Sequence, residues 1–516
     1  MVRLARSSAM PALACCAKAA PNPFPYPHPE QQMNLAEYAR HDATALAELV
    51  RNREVKATEL ADLAYEAISL VNGDLNAVIE ETRYEALRTL SEGAPAGPFE
   101  GVPFLVKDVG MHYAGVPSEM GSRLLKGVSM PTDSELAARC KRAGLVLVGR
   151  TNIPEFGANA STEPVLNGPT HNPWNLANSP GGSSGGAAAA VAAGITPIAH
   201  ANDGGGSIRI PAGLCGLFGL KPTRGRHPWG PDVDEGIFGL GVEHVVTRTV
   251  RDSAAFLDAV HGSDIGARYL LQKPDISFLE ASRRDPRRLK IAFCVDSPDG
   301  AQPVDSVCRQ AVLDTAKFCE ELGHDVFEAK PDIAFEESCA IFRDVGAPGI
   351  AAGMLAASAQ LGRPINADTV EPTSRALIRR GQEMSAIDFA GAFALMNNVS
   401  RRLGHFFTTC DIWLTPVITL PVLPLGRLNA QDESLDAAGW VRKIMEITPF
   451  TAMFNGSGQP AMSVPVQWTA DGQPIGMHFV ARFAEETTLF SLAGQIERAR
   501  PWIGRTPPHG VLGRMG

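Results

Sequence analysis

Three short segments carry the residue types that acyl-transfer chemistry requires. They are GVPFLVKD with Lys107, SPGGSSGG with Ser183, and DGGGSIRIPA with Ser207. A serine hydroxyl is a weak nucleophile and needs an adjacent base. A lysine acts as that base only when burial holds its amine neutral. Residues 164–202 include no Asp, Glu, Lys or Arg, and such surroundings favour a neutral lysine.

The segment around Ser183 admits other interpretations. Gly/Ser-rich stretches are often flexible linkers, but the flanking sequences RAGLVLVGRTN and GITPIAHAND are apolar and typical of buried structure. A membrane span is excluded because alanine, glycine and two prolines replace the required Leu, Ile and Phe. GSSGG matches the GxSxG elbow with Ser184 at its centre, yet the elbow needs a preceding apolar strand, and NPWNLANSP is polar.

Consecutive glycines precede Ser207. In Asp203-Gly204-Gly205-Gly206-Ser207 they allow successive backbone N–H groups to converge on one point and bind an anion. Such donors stabilise the oxyanion of a tetrahedral intermediate. A simple turn before a helix is the alternative, and the adjacent serine favours the oxyanion hole.

Residues 178–225, NSPGGSSGGAAAAVAAGITPIAHANDGGGSIRIPAGLCGLFGLKPTRGR, closely resemble the long signature of the amidase signature family. The 24-residue separation of Ser183 and Ser207 also agrees with it. GRTNIPEFG, GPTHNPWN, LTPV and FNGSGQPAMSVPV extend the resemblance over nearly all of residues 33–505.

The resemblance implies a Ser–Ser–Lys triad and its supporting groups. Ser207 matches the nucleophile, Ser183 the bridging serine, which the family holds in a cis peptide, and Lys107 the base. The remaining site predictions are an oxyanion hole at Gly204, Gly205 and Gly206, substrate contacts at Gly157 and Asn159, structural support from Asp203 and Arg209, and no metal or other cofactor.

Two residues depart from the common family pattern. Asn202 stands where many members have Thr or Ser, and Gly204 stands where many have a larger residue. With STEP at 161–164, this variant is similar to the branch that acts on oligoamides and on synthetic or aryl amides.

The predicted function is therefore cleavage of C–N bonds in linear amides through an acyl-enzyme on Ser207; carbamates and esters are further substrate candidates. One alternative is the amidase subunit of a tRNA-dependent amidotransferase, against which Ile210 stands, because that subunit tends to carry Gln there. Another is a non-catalytic protein of the same fold.

Strand–helix–strand patterns must position these residues. FEGVPFLVKDVG predicts a buried strand ending in a turn, and SELAARCKRAGLVLVGRTN predicts a helix followed by a strand. Residues 42–70 predict an amphipathic helix. Residues 335–408 are mostly helical in pattern, and they are expected to shape the pocket with WLTPV and FNGSGQP. The predicted fold is α/β, one large domain with a mixed twisted sheet covered by helices on both faces.

The composition restricts the classes of partner that the protein is expected to bind. The 516 residues are 20% charged with a net charge of −9 and a pI of about 5.8, which argues against nucleic acid or an anionic membrane. Nine scattered cysteines without CxxC spacing indicate reduced thiols in the cytoplasm. The predicted partners are a small-molecule amide or carbamate substrate and a second copy in a homodimer.

The first 32 residues stand apart from the domain at 33–516. Five prolines fall between Pro21 and Pro29, which predicts a disordered, Pro-rich N-terminal extension. The true start is then Met33, a hypothesis that mass spectrometry of the native N-terminus tests.

Overall fold

The computed structural model describes residues 33–93 and 96–516; the predicted extension 1–32 lies outside them. Eleven strands form one mixed sheet in the order β1-β3-β2-β4-β6-β5-β10-β11-β9-β7-β8. They are β1 Val78–Glu81, β2 Pro103–Lys107, β3 Val146–Thr151, β4 Ile198–Asp203, β5 Phe218–Lys221, β6 Val242–Thr247, β7 Lys290–Phe293, β8 Asp325–Glu328, β9 Ile412–Pro416, β10 Ala461–Trp468 and β11 Pro474–Ala481.

Helices cover both faces of this sheet, and the predicted α/β fold class is confirmed. They are α1 Leu35–Arg40, α2 Ala43–Arg51, α3 Ala57–Leu75, α4 Arg83–Ser91, α5 Glu135–Arg142, α6 Gly185–Ala192, α7 Arg209–Cys215, α8 Val250–Val260, α9 Phe278–Arg283, α10 Ser306–Glu321, α11 Phe335–Leu361, α12 Pro372–Glu383, α13 Ala386–Phe406, α14 Ala437–Ile447, α15 Met453–Ser457, α16 Glu486–Ala499 and α17 Val511–Met515. Three short 3-10 helices are Arg123–Leu125, Glu155–Gly157 and Ile237–Gly239.

The centre of the first half of the sheet positions the site. Strands β2 and β4 run parallel, with Leu105 opposite Ala199, and their apolar side chains are buried because layers cover both faces. Parallel strands end at the same edge of a sheet. Lys107 and Asp203, the last residues of β2 and β4, therefore lie near one another at the edge where open α/β sheets bind ligands.

The alanine-rich segment after Ser184 is the buried helix α6. All eight of its residues except Ala192 are buried. A Cβ atom on Gly186 would lie 2.4 Å from the backbone nitrogen of Asn152, so the glycine permits close packing of the helix against the end of β3. The segment is thus neither a linker nor a membrane span.

The predicted single helix over 42–70 is wrong, because a turn divides it into α2 and α3. Arg53 has φ 61°, a left-handed backbone conformation that no helix interior contains. The apolar periodicity continues across the break, which is why the pattern alone hides it.

Helices α11, α12 and α13 occupy the region predicted to be helical. The long α11 packs against both α12 and α13. Among the described residues, α11 is the one helix long and apolar enough to cross a membrane, with a mean hydropathy of 1.2. It carries the ion-paired Arg343 and Asp344, and 39% of its apolar stretch is buried within the domain.

Candidate active site

Lys107 ends β2 with its amine enclosed by three polar side chains. Its Nζ lies 2.8 Å from Ser183 Oγ, 2.8 Å from Ser184 Oγ and 2.6 Å from Asn202 Oδ1. The side chain is 1% exposed. The structure therefore joins the predicted base to the predicted bridging serine by a direct hydrogen bond.

Burial lowers the pKa of Lys107 to about 7, while the negative charges of Glu243 and Asp203 oppose the shift. The adjacent Asp108 points the other way, because successive side chains of a strand face opposite sides. Its Oδ1 lies 2.5 Å from Nη1 of Arg150. Lys107 is thus free of an ion pair with its neighbour in sequence, and its neutral form is populated near neutral pH.

Ser183 and Ser207 both border one cavity. Ser183 follows a cis peptide bond from Gly182, as the family resemblance implied, and is 2% exposed. Ser207 lies between β4 and α7 and is half-buried. The backbone N–H of Ser184 donates to the carbonyl of Ser207 at 3.3 Å. This bond holds the two serine segments side by side.

Asp203 and Arg209 form a buried bidentate pair. Nε of Arg209 lies 2.9 Å from Oδ2 of Asp203, and Nη2 lies 2.9 Å from Oδ1. Burial raises the pKa of Asp203, but the Arg209 guanidinium outweighs it and holds that pKa below its usual range. Asn455 donates from Nδ2 to the Asp203 carbonyl at 2.8 Å. These contacts hold the loop before Ser207.

In the glycine loop, residues 203–207, some backbone N–H groups form hydrogen bonds within the protein and others do not. Gly206, one of the three predicted oxyanion donors, already donates its N–H to Asp203 Oδ1 at 2.7 Å. Among the described residues, the N–H groups of Gly204, Gly205 and Ser207 make no hydrogen bond. These three remain available to an oxyanion.

A cavity of about 150 Å³ opens onto the two serines. Its wall away from the serines is almost entirely apolar, and comes largely from α11, α12, α14 and the segment 229–241. The apolar side chains are Phe156, Trp229, Ile237, Leu240, Phe342, Ala347, Ile350, Leu377, Trp440, Val441 and Ile444. The ring of Phe342 lies directly on the glycine loop, because a Cβ atom on Gly205 would be 2.5 Å from it.

The two residues predicted to contact substrate have different positions. Gly157 lines the cavity, and a Cβ atom there would lie 3.3 Å from Ser183 Oγ. Asn159 does not line it; its Nδ2 donates to the carbonyl of Leu428 at 3.0 Å. This hydrogen bond ties two loops together, and the substrate contact of Asn159 stays a prediction.

Other functional residues escaped the sequence interpretation. Ser184, Glu243 and most of the apolar wall were not predicted, and Asn202 was noted only as a departure from the family pattern. WLTPV and FNGSGQP, expected to shape the pocket, do not line it. Instead Trp413 is in the core, and Asn455 acts through Asp203. One feature of the sequence pointed to Asn202: it is a hydrogen-bonding residue immediately before Asp203 of the signature.

No cluster of three or more His, Cys, Asp or Glu suited to a metal ion occurs within residues 33–93 and 96–516. The polar side chains that border the cavity are instead two hydroxyls, an amide and two carboxylates, from Ser183, Ser207, Asn202, Asp203 and Glu243. Free backbone N–H groups lie beside them, and the amine of Lys107 lies directly behind Ser183. Such a set suits acyl transfer through a serine.

Comparisons with known proteins agree with this geometry. Residues 59–490 match the family model described as Amidase. The 6-aminohexanoate-cyclic-dimer hydrolase of Paenarthrobacter ureafaciens is 36% identical over 478 residues, covering 90% of this chain and 96% of the relative. An acylamidase of Rhodococcus erythropolis is 32% identical over 481 residues, covering 91% and 98%. The solved structure of a 6-aminohexanoate cyclic dimer hydrolase complexed with substrate superposes with a TM-score of 0.85 and 35% identity, covering 91% and 99%.

Proposed function

The chain belongs to the amidase signature family and is an amide-hydrolysing enzyme, and from this premise we propose that Ser207 is its nucleophile, Ser183 the proton relay and Lys107 the base. The single observation that carries the proposal is the 2.8 Å hydrogen bond between Nζ of buried Lys107 and Oγ of Ser183, beside the cavity that Ser207 also lines.

The reaction starts with neutral Lys107. Ser207 Oγ attacks the amide carbonyl carbon, its proton passes to Ser183, and the Ser183 proton passes to Lys107 Nζ. The same route returns the proton to the nitrogen of the leaving amine as the C–N bond breaks. Water then attacks the acyl-enzyme, with the relay taking its proton and restoring Ser207. Nothing beyond water is consumed.

The N–H groups of Gly204, Gly205 and Ser207 stabilise the oxyanion in this proposal. They are the free donors of a loop held by Asp203 and Arg209. Fixed donors aimed at the developing charge need no reorganisation during the reaction and contribute roughly 3 kcal/mol each.

The cavity supports an uncharged amide with a compact apolar substituent. A cavity of about 150 Å³ with largely apolar walls accommodates a group the size of a benzene ring. The wall formed by Phe342, Leu377 and Trp440 offers no partner for a charged group. Two relatives are named for a cyclic amide dimer and for acylamides, and substrates of these kinds are compatible with such a site. We extend the substrate range to carbamates and esters, because their carbonyls undergo the same attack.

Serine-directed labelling tests the nucleophile. A fluorophosphonate probe should label the wild-type enzyme, and peptide mapping should place it on Ser207. Ser207→Ala should abolish both labelling and turnover of aliphatic, aryl and cyclic amides, while a fold check by circular dichroism stays unchanged. Labelling that survives in Ser207→Ala would overturn the assignment.

Assembly and location complete the proposal. We propose a homodimer in the cytoplasm. The seven described cysteines are all free thiols, which supports a reducing compartment. Light scattering of the full chain should give twice the monomer mass; a mass of 54.9 kDa, that of one chain, would contradict the dimer.

A further inference from the structure

Glu243 is a buried carboxylate that the proposed mechanism does not use. It is located on β6, is 2% exposed and borders the cavity. Its Oε2 lies 2.5 Å from Nε2 of His200. A Cβ atom on Gly110 would lie 2.3 Å from its Oε1, so a glycine makes room for the carboxylate. A buried charge at the edge of an active site calls for a function.

The antiparallel register of β4 and β6 places Glu243 beside the base. Asn202 is directly opposite Glu243 in this register, and His200 is two residues earlier in β4, on the same face as Asn202. Both of these β4 side chains contact Lys107, one at its backbone and one at its amine. Glu243 thus lies behind both groups that hold the lysine.

His200 links Glu243 to the backbone of Lys107. The N–H of Lys107 donates to Nδ1 of His200 at 3.3 Å. A ring nitrogen that accepts carries no proton, so Nε2 carries it and donates to Glu243. The carboxylate therefore selects the tautomer of His200 that fixes the end of β2.

Asn202 links Glu243 to the amine. Since its Oδ1 accepts from Lys107 Nζ, its Nδ2 must donate, and it does so to the Val109 carbonyl at 2.9 Å and toward Glu243 Oε1 at 3.4 Å. Glu243 and the Val109 carbonyl together keep the oxygen of Asn202 turned toward the lysine.

We infer that Glu243 is a positioning residue that acts on Lys107 through His200 and Asn202. This inference rests on the proposed role of Lys107 as the base. The charged and titratable groups that surround the lysine are Glu243 from β6 and Asp203 and His200 from β4. Asp203 is neutralised by Arg209, whereas no Lys or Arg among the described residues forms an ion pair with Glu243. Asp108 faces Arg150, away from the site.

The charge of Glu243 has a defined effect on the base. It opposes the pKa-lowering effect of burial at Lys107. At Cys140 on α5, burial raises the thiol pKa, the Tyr113 hydrogen bond lowers it, and the charge of Glu243 adds a smaller increase. Removing the charge should lower the pKa of Lys107 further, giving an amine that is neutral at lower pH but a weaker base.

The test compares the pH profiles of Glu243→Gln and Glu243→Asp with that of the wild type. With a chromogenic anilide as substrate, Glu243→Gln should move the acid limb of kcat/KM down by on the order of one pH unit and lower kcat with little change in KM. Glu243→Asp keeps the charge, so its acid limb should stay near the wild-type position. A folded Glu243→Gln enzyme with an unmoved limb, or an equal displacement in Glu243→Asp, would overturn the inference.

A second variant keeps the inference testable if Glu243→Gln does not fold. Asn202→Ala removes the acceptor of the amine while leaving Glu243 and His200 paired, and its acid limb should also move down. An unmoved limb in this variant would contradict the link through Asn202. Fluorophosphonate labelling, run in parallel, distinguishes failure of the proposed mechanism from failure of the inference about Glu243. Labelling at a residue other than Ser207 refutes the mechanism. Labelling of Ser207 together with unmoved acid limbs refutes only the role of Glu243.

Discussion

Nζ of Lys107 lies 2.8 Å from Oγ of Ser183 and 2.8 Å from Oγ of Ser184, so one amine contacts two consecutive hydroxyls. The two serines differ in what lies beyond them. Ser183 borders the cavity, whereas Ser184 is fully buried and donates to the carbonyl of Asn202 at 3.2 Å.

We expect the two serines to differ in their effect on turnover. Ser183→Ala should lower kcat by roughly 10³-fold, within the range that loss of a proton-transfer group produces. Ser184→Ala removes a contact of the base but not the relay, and should lower kcat by about 10-fold or less. Steady-state kinetics of both variants provide the measurement, and equal losses would contradict a relay through Ser183 alone.

The rate should fall in acid as Lys107 takes up a proton. Because burial lowers the pKa of Lys107 to about 7, kcat/KM should be high above pH 7 and decline below it. A profile from pH 5 to pH 10 checks the position of this limb. A limb near pH 10 would show that the amine keeps an ordinary pKa.

Stability should depend on pH through the same lysine. The folded pKa of about 7 lies below the ordinary value of 10.5, so the unfolded chain binds more protons between these values, and the free energy of unfolding rises with pH across that window. The contribution is on the order of 5 kcal/mol. Relative to Lys107→Met, the wild type should therefore gain stability as the pH rises from 6.5 to 10.5 in urea titrations. A difference that is constant with pH would rule out the shift.

Gly157→Ala should impair activity more than folding. Gly157 has φ +69°, and an added Cβ would lie 3.3 Å from Ser183 Oγ. Gly127 is the matched control, with φ +80° and no atom within 4 Å of its Cβ position. Both variants should lose on the order of 1 kcal/mol of stability, but only Gly157→Ala should lower kcat/KM. Loss of activity in both would point to backbone strain instead.

Arg209→Met should destabilise the fold and the oxyanion loop together. It leaves Asp203 buried without its cation, which costs roughly 3–5 kcal/mol. The exposed pair of Arg88 and Glu85, with a 3.0 Å separation, gives the control; Arg88→Met should change stability by about 1 kcal/mol or less. Thermal melts and kcat of Arg209→Met and Arg88→Met measure this difference. Similar melting temperatures for the two variants would contradict the prediction.

The local chemistry of the site follows from the sequence because one continuous signature contains Ser183, Asp203, Ser207 and Arg209. Strand β2 is equally readable as an apolar run that ends at Lys107. The partners of Lys107 across the sheet are not, because the pairing of Asn202 with Glu243 depends on the register of β4 and β6, which tertiary packing sets.

The residues of the cavity wall and the hydrogen bonds of the glycine loop also cannot be predicted from the sequence pattern. Phe342, Leu377 and Trp440 lie on three helices whose periodicity marks a buried face but not which neighbour that face meets. The commitment of Gly206 to Asp203 depends on the turn geometry. The hydrogen bond of Asn159 to the Leu428 carbonyl likewise joins loops that are far apart in the sequence.

The proposed catalytic residues and the apolar cavity wall come from different parts of the chain. Lys107, Ser183 and Ser207 lie within residues 107–207, whereas Phe342, Leu377 and Trp440 come from α11, α12 and α14. Selection can consequently alter substrate preference by substitutions in the later helices while the hydrolytic apparatus stays intact. For protein engineering, this separation makes residues 335–447 the region to randomise when a new amide is to be accepted.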